Sequence, residues 1–180
     1  MNGIKLAGGP TQDEIMAVSL FKLGLLSTDT ILEIGCGTGK ISVAIAQAVK
    51  KVYSLDKRPD AVSFATETAR NAGLLNIEFF STDAVDFLKN DQVFDCAFLG
   101  GTQQLAEILP VLAKKVKRTI VINAVMVSTL DRAVTIAKRL GIFSEVVQVQ
   151  VSRSHDIAGS IMFRPIDPVY IIVARGEACS

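Results

Sequence analysis

The residues best suited to chemistry are one acidic side chain and three alternating glycines in segment 30–40, Thr-Ile-Leu-Glu-Ile-Gly-Cys-Gly-Thr-Gly-Lys. Glu33 lies two positions before Gly35, and Gly37 and Gly39 follow at alternate positions. Glycine lets the backbone adopt positive φ angles and approach a ligand closely. An apolar run precedes the glycines and a helix-like segment follows them, which is the context of nucleotide- and nucleoside-binding turns. We therefore predict a ligand-binding turn here.

The spacing of the glycines distinguishes two kinds of ligand. A dinucleotide-binding turn has glycine at its first, third and sixth positions, but the sixth position counted from Gly35 is Lys40. The Glu-x-Gly-x-Gly-x-Gly pattern instead resembles the first motif of the S-adenosylmethionine-dependent methyltransferases. The resemblance implies that Gly35 to Gly39, with Cys36 and Thr38, runs beside the methionine part of the cofactor. A turn without a ligand is the alternative. We interpret Cys36 as a small filler residue beside the ligand, with a reactive thiol as the alternative.

A carboxylate follows the second predicted strand. Asp56 ends the apolar segment 52–56, 21 positions after Gly35. A carboxylate at this end of a second parallel strand can accept hydrogen bonds from both ribose hydroxyls, because it is an acceptor with two oxygens. The alternative is that Asp56 caps the helix that begins near Pro59, a residue suited to the first helical position.

The loops after the third and fourth predicted strands supply the remaining cofactor candidates. Asp83 and Ala84 follow segment 77–81, and Gly100 follows segment 93–99. The methyltransferase resemblance implies that the Asp-Ala pair lies beside the adenine, with the carboxylate bonded to the exocyclic amine. Capping of a short helix by Asp83 is an equally open interpretation.

Strand-like and helix-like segments alternate five times and are followed by two strand-like segments, 143–151 and 168–174. This order predicts a doubly wound α/β fold. We expect a mostly parallel seven-stranded sheet, with helices on both faces and an antiparallel C-terminal hairpin, in a single domain over residues 1–180. The excursion 152–167 is predicted to be ordered, because it contains the apolar residues 161–163. Two helix starts are also predicted, a capping box at Thr11 and a cap at Ser128.

Composition excludes several classes of function. The 180 residues carry a net charge of +1, which removes the general electrostatic argument for nucleic-acid binding. No apolar stretch reaches the roughly 20 residues that span a bilayer, and the N-terminus lacks the layout of a signal peptide, so we expect a cytoplasmic protein. With three scattered cysteines and His155 as the single histidine, no metal site is expected.

Segments outside the glycine turn narrow the resemblance to one family. They occur in family order, and they are Gly-Gly-Pro-Thr-Gln-Asp-Glu-Ile at 8–15, Ser-Leu-Asp at 54–56, Asp-Ala at 83–84, Gly-Gly at 100–101, Asn-Ala-Val at 123–125 and Asp-Pro-Val-Tyr-Ile-Ile at 167–172. Together with the turn they resemble, over the whole chain, the decarboxylating cobalt-precorrin-6B C(15)-methyltransferases of cobalamin biosynthesis. The resemblance implies methylation of a corrinoid tetrapyrrole at C-15 with loss of carbon dioxide from the C-12 acetate, often by a homotetramer. It also implies that Thr11 contacts S-adenosylmethionine.

Two positions depart from the family pattern. Gln103 and Gln104 occupy a loop that is usually richer in glycine, and Ser128 stands where a glutamate usually follows the Asn-Ala-Val segment. We expect both loops to border the acceptor cleft. Because the acceptor carries several carboxylates, Arg153 and Arg164 in the excursion are candidate substrate ligands, with ordinary surface charges as the alternative. No general base is predicted.

Three other interpretations stay open. A tRNA or other small-molecule methyltransferase would have the same sheet, although an RNA enzyme usually has a basic face or an Asn/Asp-Pro-Pro-aromatic element after the fourth strand, where Leu-Gly-Gly-Thr stands at 99–102. A nicotinamide dehydrogenase is disfavoured by Lys40. A non-catalytic S-adenosylmethionine-binding subunit is compatible with the two altered loops.

Overall fold

The structure, a computed structural model, describes residues 11–176, so Gly8, Gly9, Pro10 and Cys179 of the motifs and cysteines above lie outside the described residues. Within that range the helices are α1 (Asp13–Leu23), α2 (Lys40–Ala46), α3 (Pro59–Asn71), α4 (Ala84–Phe87), α5 (Leu105–Lys115) and α6 (Val127–Arg139). The strands are β1 (Thr30–Ile34), β2 (Lys51–Asp56), β3 (Ile77–Ser81), β4 (Phe94–Leu99), β5 (Val116–Ala124), β6 (Phe143–Val149), β7 (Ser152–Ile157), β8 (Ser160–Pro165) and β9 (Val169–Arg175).

Seven strands form the main sheet in the order β3-β2-β1-β4-β5-β9-β6. Strands β1 to β5 pair in parallel, whereas β9 is antiparallel to both of its neighbours. This confirms the predicted doubly wound sheet and the antiparallel pairing of its last two strands. The two strands do not form a simple hairpin, however, because β7 and β8 lie between them in the chain.

Helices cover both faces of the sheet. Leu32 packs in the same core cluster as Leu109 of α5 and Ile136 of α6, whereas Ile31 packs with Ile45 of α2 and Leu23 of α1. Neighbouring residues of a strand face opposite sides, and a parallel sheet buried on both faces is the usual result of such crossovers. The carboxyl ends of β1, β2 and β4 therefore meet at one edge, where ligands bind in folds of this class.

The excursion is ordered, as predicted, and forms a separate two-stranded sheet of β7 and β8, whose strands the sequence analysis did not predict. Ile157 pairs with Ser160 across a two-residue loop of Ala158 and Gly159, which have φ angles of 48° and 80°. Two positive φ values define the hairpin turn that matches strand twist. Since Ala-Gly lacks the Asn or Asp that usually marks this turn, the sequence gives only a weak signal for it.

Both predicted helix caps are wrong. The N-cap of α1 is Gln12, without a side-chain cap, so Thr11 does not start the helix. The carboxylate of Glu14, which would close the capping box, instead accepts hydrogen bonds from Arg153. Helix α6 follows Met126, which places Ser128 inside its first turn.

A partly buried ion pair links several elements at the edge of the sheet opposite the glycine turn. Asp29, which is 2% exposed, precedes β1 and accepts hydrogen bonds from both terminal nitrogens of Arg118 on β5, at 2.8 and 2.7 Å. The same guanidinium donates to the carbonyl of Gly24 after α1. Arg118 thus ties three elements together far from the candidate site.

Candidate active site

Three strand ends meet at the glycine turn through their backbones. The N–H of Gly35 donates to the carbonyl of Leu55, and the N–H groups of Gly100 and Gly101 donate to the carbonyl of Ile34. Gly35 has a φ of +88°, and a Cβ on it would lie 2.5 Å from the backbone nitrogen of Gly101. Glycine is therefore required at position 35 by the approach of the β4 loop.

The other two glycines of the motif have different surroundings. A Cβ on Gly37, at φ +52°, would meet nothing within 4 Å, so the backbone there is open. A Cβ on Gly39, at φ +76°, would lie 2.8 Å from the Cα of Ala65 in α3. Close packing of α2 on α3 explains Gly39. It lies outside the linings of both cavities described below, and its predicted cofactor contact stays a prediction.

Asp56 is held at the end of β2, and it is 6% exposed. Its Oδ2 accepts from the N–H of Gly37 at 3.1 Å and from a terminal nitrogen of Arg58 at 2.9 Å. Its Oδ1 accepts from the backbone N–H and from Nε of Arg58, both at 3.0 Å. Burial raises the pKa of Asp56, but these bonds outweigh it, so the pKa lies below its ordinary value. The N-cap of α3 is Arg58, without a side-chain cap bond, so Asp56 is not that helix's N-cap.

Glu33 is completely buried beneath the turn. Its Oε2 accepts hydrogen bonds from the hydroxyls of Ser42 and Ser54, whereas Oε1 has no partner among the described residues. Burial raises the pKa of this carboxyl more than the two hydroxyls lower it. Buried polar atoms in folded proteins almost always have a hydrogen-bond partner. A donor group on a bound ligand would supply the partner that Oε1 lacks.

Cys36 is a buried thiol in the turn, and burial raises its pKa to about 12. Such a thiol is almost entirely protonated at neutral pH and is a poor nucleophile. This agrees with the interpretation of Cys36 as a small filler residue.

Two cavities of about 270 and 350 Å³ open at this edge of the sheet, and Gly35, Arg58 and Gly100 line both. Pockets for small ligands begin at roughly 300 Å³. The predicted cofactor residues divide between the cavities. The first is lined by Gly35, Asp56, Asp83, Ala84 and Gly100, and the second by Thr11, Glu33, Gly35, Cys36, Gly37, Thr38 and Gly100.

Asp83 both caps a helix and lines the first cavity. Its Oδ1 accepts from the N–H of Val85 at 2.8 Å, at the start of α4. The capping interpretation is therefore correct, and a contact with adenine stays a prediction.

Gln103 and Gln104, the first departure from the family pattern, line the first cavity and not the second. Lys57 donates a hydrogen bond to Gln103.

The wall of the second cavity includes residues that the sequence did not predict. Lys40 joins the starts of α1 and α2, because its Nζ lies 2.7 Å from the carbonyl of Thr11 and 2.6 Å from Asp13. Val125 and Asp167 also line this cavity. The sequence analysis also did not identify Arg58 as a site residue. An arginine two positions after an acidic residue at a strand end is not a recognisable binding motif.

Arg153 and Arg164 do not line either cavity. Arg153 forms a bidentate pair with Glu14, at 3.0 and 2.6 Å. Arg164 lies 3.4 Å from Nε2 of His155 on the neighbouring strand. The structure therefore does not bring these arginines to the glycine turn within one chain, and their role as substrate ligands stays a prediction.

Residues 11–176 contain no group of three or more His, Cys, Asp or Glu side chains placed to hold a metal ion. None of the helices described here has both the length and the hydropathy to cross a membrane.

Comparisons with known proteins agree on one family. A model of the precorrin methyltransferase domain matches residues 5–175. A probable cobalt-precorrin-6B C(15)-methyltransferase (decarboxylating) of Methanosarcina mazei is 42% identical over 97% of this chain and 98% of its own. Among solved structures, a precorrin-6Y C5,15-methyltransferase of Geobacter metallireducens superposes with a TM-score of 0.89 at 27% identity, covering 96% of this chain and 94% of that one. A precorrin-8W decarboxylase of Methanobacterium thermoautotrophicum gives 0.88 at 26% identity, over 92% and 91% of the two chains. The chain belongs to the precorrin methyltransferase family.

Proposed function

We propose that this protein is an S-adenosylmethionine-dependent C-methyltransferase of cobalamin biosynthesis. Its substrate would be cobalt-precorrin-6B, methylated at C-15 with loss of carbon dioxide from the C-12 acetate. The observation that carries the proposal is the pair of cavities that meet at the glycine turn, in a chain that belongs to this family over nearly its whole length. The first cavity would take the nucleoside, and the second would take the methionine part of the cofactor together with the acceptor.

The donor set fits the cofactor. Asp56 offers carboxylate oxygens to a vicinal diol in the first cavity. The open backbone at Gly37 leaves room for a ligand beside the turn. The unpartnered Oε1 of Glu33 can accept a hydrogen bond from an ammonium group. When bound, S-adenosylmethionine supplies a methyl group on a sulfonium, whose leaving thioether needs no protonation.

The protein's own contribution is positioning. The turn around Gly35 is held by backbone hydrogen bonds to β2 and β4, so the junction of the cavities is a rigid part of the fold. Holding an acceptor carbon in line with the donor and excluding water can supply most of the rate of such a displacement. No side chain at the junction has to act as a base for this step.

The rim of the second cavity has an apolar surface suited to a flat macrocycle. Val125 lines the cavity, and the run from Val125 through Met126 to Val127 is 56–66% exposed. Contiguous exposed apolar residues are uncommon on a soluble domain unless they bind something. The face of a corrinoid ring would cover this surface, while its carboxylate side chains reach cations at the rim.

We also propose that the chain assembles through the β7–β8 hairpin. Ile161 and Phe163 on β8 are 70% and 68% exposed, and Met162 between them is half exposed. Burial of these side chains against a second copy would stabilise an oligomer by removing apolar surface from water. The homotetramer implied by the family resemblance is one such assembly.

Ligand-induced stabilisation tests the cofactor assignment. S-adenosylhomocysteine should raise the melting temperature, whereas NAD should not, because a ligand that binds only the folded state stabilises it by mass action. A melting temperature raised by NAD alone would contradict the proposal.

A further inference from the structure

The carboxylate of Asp56 is already saturated in the structure. It accepts at least four hydrogen bonds, one from the N–H of Gly37 and three from Arg58. An ionised carboxylate has about four lone-pair positions. A ribose diol that donates to Asp56 must therefore replace existing donors.

The donors that can give way belong to the side chain of Arg58. The N–H groups of Gly37 and Arg58 are fixed by the backbone of the turn and of the start of α3. The Nε and terminal nitrogen lie on a flexible side chain that is 37% exposed. Binding of a diol should consequently move the guanidinium away from Asp56.

The displaced guanidinium lies at the junction of the two cavities, since Arg58 lines both. Among the described residues that line the second cavity, the other cation is Lys40, which is already bonded to Thr11 and Asp13. The acidic residues there are Asp167 and Glu33, and Glu33 is bonded to two serine hydroxyls. A guanidinium pairs bidentately with a carboxylate.

We propose that Arg58 couples the two ligands. Filling of the nucleoside site transfers the guanidinium from Asp56 to a carboxylate of the acceptor, so the acceptor binds more tightly after the cofactor. This inference rests on the proposed function, and it adds a binding order and a residue that recognises the acid groups of the substrate.

Titration calorimetry with cobyrinic acid, a corrinoid polycarboxylate, tests the coupling. In the wild type, S-adenosylhomocysteine should raise the affinity for cobyrinic acid at least tenfold, and cobyrinic acid should raise the affinity for S-adenosylhomocysteine by the same factor, because coupling is reciprocal. Cobyrinic acid in which every carboxyl group is converted to its methyl ester has no carboxylates, so it should show no coupling.

Two variants separate the roles of the ion pair. Arg58→Gln should bind S-adenosylhomocysteine at least as tightly as the wild type, because the competing guanidinium is gone, and its coupling factor should fall to about one. Asp56→Ala removes the carboxylate that holds the guanidinium, so cobyrinic acid should bind tightly without S-adenosylhomocysteine. Arg70→Ala, which removes an arginine from the exposed far end of α3, should retain wild-type coupling.

The failures are distinguishable. A wild type that does not bind S-adenosylhomocysteine would overturn the proposed function together with this inference. Binding of S-adenosylhomocysteine without coupling, without binding of cobyrinic acid, or with coupling that survives Arg58→Gln would overturn the inference and leave the cofactor assignment intact. A loss of S-adenosylhomocysteine affinity in Arg58→Gln would show that the guanidinium holds the cofactor and does not compete with it.

Discussion

The contrast between Gly35→Ala and Gly37→Ala tests whether the glycine turn is shaped by backbone packing. Both glycines have positive φ, +88° and +52°, so an alanine at either position takes a strained conformation. Left-handed backbone costs an L-residue roughly 1–2 kcal/mol. The added methyl group of Gly37→Ala meets nothing within 4 Å, so this variant should lose only about that amount.

Gly35→Ala should lose considerably more. Its Cβ would lie 2.5 Å from the nitrogen and 3.0 Å from the Cα of Gly101, and both are backbone atoms that cannot rotate away. Overpacking of this kind costs roughly 1–3 kcal/mol, which added to the strain gives a total of about 2–5 kcal/mol. The β4 loop would have to move, and that loop lines both cavities.

Urea unfolding of the two variants and the wild type measures the difference in the free energy of unfolding, provided that the slopes agree. Calorimetry should in addition show at least a tenfold loss of S-adenosylhomocysteine affinity in Gly35→Ala, a change of about 1.4 kcal/mol. Equal destabilisation of the two variants, or a Gly35→Ala protein with unchanged stability, would refute the packing explanation.

Three further predictions concern other parts of the structure. Glu33→Gln should flatten the pH dependence of the free energy of unfolding, and its stability relative to the wild type should increase as the pH rises. Because burial raises the pKa of this carboxyl above its ordinary value of about 4.5, folding of the wild type takes up a proton, and its stability falls as the pH rises from there toward the folded pKa. A wild type without that decline would contradict this explanation. Arg118→Met should lower the free energy of unfolding, measured with urea, by about 3 kcal/mol, because it leaves the charge of Asp29 buried without its ion-pair partner. Adding Asp29→Asn to this variant should restore part of the loss. An Arg118→Met protein of unchanged stability would show that the pair is dispensable. Phe163→Ala should reduce the association of subunits in light scattering, whereas Phe21→Ala, which removes an even more exposed ring from α1, should not. A monomeric wild type would show that the hairpin is not a subunit contact.

Much of the fold could be predicted because its signals are local and repeated. Apolar strand segments ending in Gly35 and in Asp56 indicate parallel strands, whose carboxyl ends must meet at one edge. The carboxylates and glycines therefore come together without any knowledge of side-chain contacts.

The parts that could not be predicted depend on choices between nearby partners. Arg58 donates to the oxygens of Asp56 that the sequence assigned to a ribose diol, and residue type alone does not predict this contact. Glu14 fits a capping box by spacing, but Arg153, far along the chain, takes its carboxylate. Gly39 belongs to the ligand-binding motif by pattern, although its neighbour is Ala65. Such outcomes are set by tertiary contacts that sequence spacing does not encode.

Mass spectrometry of the product of one reaction tests the central claim most directly. The protein would be incubated with cobalt-precorrin-6B and S-adenosylmethionine carrying an isotopically labelled methyl group. We expect a corrinoid that has gained one labelled methyl group at C-15 and lost one carbon dioxide, with formation of S-adenosylhomocysteine. A folded protein that binds S-adenosylmethionine and cobalt-precorrin-6B but returns the corrinoid with neither change would contradict it.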